Sequence, residues 1–135
     1  MGCGARSYTR NVHYASRYGV SRKATESIIA DYVAAERYDT ADYGIVLSLE
    51  EQKRRFILKA VLHSEGLELA DYSGRFASSL WKDHPELGLL LQSGLGREEA
   101  GILRLTPEGL GYSDSIGDWF ISGEIREQME RFVLP

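Results

Sequence analysis

The stretch Ser48-Leu-Glu-Glu-Gln-Lys-Arg-Arg-Phe-Ile-Leu-Lys-Ala-Val61 decides how this chain is read. Ser48 followed three residues later by Glu51 is a capping box, in which the hydroxyl accepts the Glu51 amide and the carboxylate reaches back. The spacing predicts a helix from Ser48 to about Ser64, with Leu49, Phe56, Ile57, Ala60 and Val61 as its buried stripe. Glu50, Lys53, Arg54 and Lys59 fall on the wet side, and Glu50–Arg54 is a favourable i,i+4 pair. Gly66 stops the run.

Downstream, Leu67, Leu69, Tyr72 and Phe76 suggest a second helix over Glu68–Ala77. Asp83-His-Pro-Glu86 opens a third, with Asp83 as cap, Pro85 in the first turn and Leu87, Leu90 and Leu91 facing inward. Leu95–Glu98 and Ile102–Leu105 flank Glu99-Ala-Gly101 as a small hairpin. Thr106-Pro107 starts another helix, with Leu110, Ile116, Trp119 and Phe120 as its apolar positions. A last helix covers Gly123–Phe132, with Ile125, Met129, Phe132 and Val133. The order helix, helix, helix, hairpin, helix is the outline of a winged-helix-like module.

Upstream, Tyr43–Leu47 is a short strand and Tyr38–Asp42 a connection. Arg22–Arg37 is a helix capped by Ser21, with Thr25, Ile28, Ile29, Tyr32 and Val33 on one stripe. Met1–Val20 has no helical period. The expected class is therefore mainly α with a small β-hairpin, divided into residues 1–42 and 43–135.

The 135 residues are enough for one domain with a core, and 43% hydrophobic against 27% charged residues is an ordinary globular balance. Cys3 is the single cysteine, which excludes an internal disulfide, a four-cysteine zinc site and an iron–sulfur cluster on this chain. No apolar run reaches the ~20 residues of a membrane span and no signal-peptide core follows Met1, so a cytoplasmic location is expected.

The net charge of −4 is unevenly spread. Residues 1–25 carry Arg6, Arg10, Arg17, Arg22 and Lys23 and no acid, while residues 26–135 hold 11 basic and 20 acidic side chains. Groove binding to DNA needs phosphate-neutralising cations and a helix that reaches base edges. The third helix offers Glu86 and Gln92, and the hairpin sets Glu98 and Glu99 beside Arg97 and Arg104, so nucleic acid is disfavoured.

Catalytic signals are sparse. His13, His63 and His84 have no metal-ligand spacing, and no serine sits in G-x-S-x-G. Cys3 beside Arg6 reads as a small residue in a glycine turn. Gly2-Cys-Gly-Ala-Arg-Ser-Tyr8 remains, a turn whose glycines let backbone approach an anionic or nucleotide-like ligand.

That turn, with Arg10-Asn11 and Tyr18, resembles the glycine–alanine–serine–tyrosine stretch of oxygen-independent coproporphyrinogen III oxidase-like radical S-adenosylmethionine (SAM) proteins. Ser48–Phe56, Gly66-Leu-Glu-Leu69 with Tyr72 and Phe76, and Leu103–Leu110 are similar to that family's C-terminal domain. The resemblance implies an accessory domain of a radical SAM oxidoreductase, covering the active site and inactive by itself. It implies that residues 1–42 are the end of the catalytic barrel plus a linker helix. The family's C-x-x-x-C-x-x-C cluster motif is missing here, so S-adenosylmethionine and the [4Fe–4S] cluster belong to the parent protein, and no cofactor or metal is expected on this chain alone. By the same resemblance Gly2, Gly4, Ala5 and Ser7 are expected toward the cofactor, and Arg6, Arg10 and Asn11 toward an anionic substrate such as a tetrapyrrole. The missing barrel is the expected partner. The alternative is a free-standing winged-helix module that binds DNA or protein.

Overall fold

The structure, a computed structural model, describes residues 6–8, 12–15, 22–37 and 44–131. Its contacts divide the chain into two units: residues 53–122, and residues 1–52 together with 123–135.

In the second of these, β1 (Arg6–Tyr8), β2 (Val12–Ala15) and β3 (Gly44–Val46) form an antiparallel sheet in that order, with Tyr8 opposite His13 and Val12 opposite Val46. Helix α1 (Arg22–Ala34) buries none of its residues. Its expected stripe is exposed, with Ile29, Tyr32 and Val33 at 57%, 67% and 75%. Helix α2 (Leu49–Val61) starts at the expected cap, where the Glu51 amide donates to Ser48 Oγ at 3.2 Å. Helix α8 (Gly123–Arg131) also buries none of its residues, and Met129 is exposed; Phe132 and Val133 lie outside the described residues.

The unit from 53 to 122 owns the core. After α2 come β4 (Leu67–Glu68), α3 (Leu69–Phe76), α4 (Leu80–Asp83), a 3-10 turn (Pro85–Leu87), α5 (Gly88–Gln92), β5 (Gly96–Glu99), β6 (Ile102–Leu105), α6 (Pro107–Gly111) and α7 (Ser113–Phe120). Nearly every element sends one or two side chains inward. Ile57 and Val61 of α2 meet Leu67, Tyr72, Leu80, Leu87, Leu90, Leu103, Leu105, Ile116 and Phe120 in one cluster. Phe56 packs on its edge, 5.5 Å from the Phe76 ring in a T-shaped pair.

Strand β6 lies between β4 and β5. The hairpin matches the sequence reading, but its turn is tighter: Glu99 pairs with Ile102, leaving Ala100-Gly101 as a two-residue turn with φ of 52° and 77°. Positive φ at both positions is the type I′ geometry that follows strand twist. Strand β4 is too short to announce itself by alternation. Gly66 makes it possible, because its φ of 78° turns the chain against β6 and a Cβ there would sit 2.6 Å from the Leu103 carbonyl.

Several expected positions are corrected. Leu49 is 58% exposed, since the stripe of α2 is buried only in its second half. Lys53 and Arg54 are drawn in, with side chains 13% and 22% exposed, because each finds a carboxylate. Asp83 does not cap a helix; it ends α4 and receives hydrogen bonds from elsewhere. The helix expected after Thr106 is two helices, broken at Tyr112. Ile116 and Phe120 are therefore buried while Leu110 and Trp119 stay 42% exposed.

Candidate functional site

Two polar clusters and one groove are the chemically distinctive features of the 53–122 unit. In the first cluster, Lys53 Nζ lies 2.7 Å from Asp83 Oδ2. Tyr72 Oη donates to the same oxygen at 2.8 Å, and Ser78 Oγ donates to Oδ1 at 2.8 Å. These donors, Lys53 above all, hold the Asp83 carboxyl from its ordinary 3.8 down to about 2.

The second cluster surrounds Phe120. The Arg54 guanidinium lies 4.8 Å over its ring, donates to its carbonyl at 3.1 Å and reaches Glu86 Oε1 at 3.5 Å. His84, fully buried, stacks edge-on against Phe120 with ring centroids 5.2 Å apart and sets its Nδ1 3.1 Å from Glu86 Oε1. Burial pushes the Glu86 carboxyl up, but backbone hydrogen bonding, His84 and Arg54 outweigh it and the pKa is lowered.

A general acid or base works best with a pKa near the working pH. Both carboxylates are displaced away from neutrality and engaged on several sides. Through Lys53 and Arg54 they tie α2 to α4 and the 3-10 turn, and Arg54 also reaches the Phe120 carbonyl of α7.

The groove lies between α5 with its following turn and the α6–α7 pair, with a volume of about 550 Å³. Leu89, Leu90, Gln92, Ser93 and Leu95 form one wall, and Tyr112, Ser115, Ile116 and Trp119 the other. Close backbone packing sets its shape. The Gly109 amide donates to Thr106 Oγ1 at 3.1 Å, the expected cap, and a Cβ at Gly109 would run into the Leu95 carbonyl. Of these lining residues, the sequence reading names Leu90, Ile116 and Trp119 as apolar positions and does not mark a groove. One signal was available: Leu89, Leu90 and Leu91 are consecutive, at ~100° per residue, so a helix cannot bury all three on one face. Leu90 is buried and Leu89 is 54% exposed.

The site residues named from sequence lie in the other unit. Arg6 and Ser7 stand in β1, opposite Ala15 and Tyr14 of β2. Gly2, Gly4, Ala5, Arg10 and Asn11 fall outside the described residues. Among the described residues, no group of three His, Cys, Asp or Glu side chains could hold a metal ion, and no helix is long and apolar enough to cross a membrane.

Residues 47–111 match the family model of the HemN C-terminal domain. The match agrees with the resemblance of the sequence to the C-terminal part of coproporphyrinogen III oxidase-like radical SAM proteins. No curated protein and no solved structure matches the chain.

Proposed function

We propose, from the HemN C-terminal domain at residues 47–111, that this chain is the accessory part of a coproporphyrinogen III oxidase-like radical SAM oxidoreductase. In this reading residues 43–135 cover the active site of a catalytic barrel without catalysing alone, and residues 1–42 supply the barrel's last strand and a linker helix. S-adenosylmethionine and the [4Fe–4S] cluster are bound by the barrel, with Gly2, Gly4, Ala5 and Ser7 beside the cofactor. Arg6, Arg10 and Asn11 face the anionic groups of a tetrapyrrole-like substrate. The reaction takes place in the cytoplasm.

The observation that carries the reading is the domain match. The chemistry of the 53–122 unit supports it, because Asp83 and Glu86 are committed to holding helices together. Reconstitution with iron and sulfide tests it. The expected result is no stable cluster on this chain, together with restored S-adenosylmethionine cleavage when it is supplied to a C-x-x-x-C-x-x-C barrel lacking its own C-terminal domain. A stable [4Fe–4S] cluster assembled by this chain alone would overturn it.

One observation favours the second reading, a winged-helix module acting on its own: a hairpin following three helices, with its second strand central in a three-stranded sheet. As a DNA reader it is poorly charged. Helix α5 contains no Lys or Arg, and the hairpin pairs Glu98 and Glu99 against β6. A gel shift on duplex DNA with steep salt dependence would promote this reading over the first.

A further inference from the structure

We draw no further inference here: the strongest candidate, the open apolar groove between α5 and the α6–α7 pair, where Leu89, Tyr112 and Trp119 are exposed, carries nothing because nothing in the structure shows what covers it.

Discussion

Helices α1 and α2 are each 13 residues long, and both carry apolar residues at helical spacing. In α2, Ile57 and Val61 are almost completely buried and belong to the core. In α1 no residue is buried, and Val33 is three-quarters exposed. Spacing alone does not separate them. What separates them is the company of α2: polar residues before its midpoint find fixed partners, Lys53 in Asp83 and Arg54 in Glu86 and the Phe120 carbonyl. A period specifies which face of a helix can be buried. It takes other elements, tied down by their own contacts, to bury it.

The sharpest way to break this contrast is to remove what covers α2. Phe120 is 1% exposed, lies in the core cluster and supports the Arg54 guanidinium. Phe120→Ala should destabilise the 53–122 unit by about 3–5 kcal/mol, through lost burial plus the cavity left behind. Urea unfolding at constant m-value measures it. A cost below about 1 kcal/mol would mean that α7 does not cover α2 as described.

Two glycines sharpen the contrast within the covering elements. A Cβ at Gly109 meets the Leu95 backbone, which a flexible side chain cannot relieve, so Gly109→Ala should cost about 1–3 kcal/mol. Gly117 in α7 has open space where a Cβ would go. Gly117→Ala should stabilise by roughly 0.5–1 kcal/mol, the helix-propensity gain over glycine. Thermal melts of the two variants should shift in opposite directions, and shifts of the same sign would contradict the packing of α6 on the turn before β5.

The Asp83 cluster gives a pH signature. Its folded pKa, about 2, lies below the ordinary 3.8, so Asp83 contributes its full stabilisation above about pH 4 and loses it as pH falls toward 2. Asp83→Asn should cost about 1–3 kcal/mol at neutral pH, because Lys53 loses its partner and Tyr72 a charged acceptor. The variant's stability should also fall less steeply between pH 4 and pH 2 than the parent's. Identical slopes would show that another carboxylate carries the acid sensitivity.

Caps come next in size. Thr106 accepts the Gly109 amide and lies within hydrogen-bond distance of the Gly94 carbonyl at 3.0 Å, in a half-buried position. Ser48 accepts the Glu51 amide at an exposed position where water can substitute. Each change to Ala should cost about 1 kcal/mol, with Thr106→Ala the larger. Equal melting temperatures for Ser48→Ala and the parent would argue against the start assigned to α2.

These caps also mark what the sequence made legible. Ser48, Thr106-Pro107 and the hairpin were readable because each rests on local chemistry: a hydroxyl three residues from an amide, a proline at a first turn, a glycine where φ is positive. Long-range partners were not. Asp83 resembled a helix cap because nothing local distinguishes an aspartate facing Lys53 from one facing an amide. Strand β4 has two residues and is defined by pairing with Leu103 and Ile102 far along the chain. The groove is legible only once Tyr112 breaks one expected helix into two. Of the glycine turn and its neighbours, Arg6 and Ser7 are placed in a strand, and nothing nearby in sequence indicates what they face.

The smallest effect is the most direct test of the opening contrast. Val33 of α1 and Val61 of α2 are the same side chain on the apolar stripes of two helices of equal length, at 75% and 2% exposure. Val61→Ala removes two buried methyl groups and should cost measurably, in the range of about 1–3 kcal/mol expected of core truncations. Val33→Ser removes apolar surface that is already in water, so it should lie within about 0.5 kcal/mol of the parent. If the radical SAM reading is right, the same Val33→Ser should weaken association with a catalytic barrel supplied separately, because the stripe of α1 is then the face a barrel covers. A large loss of stability from Val33→Ser in this chain alone would show that α1 is already packed, and the distinction between the two helices would fall.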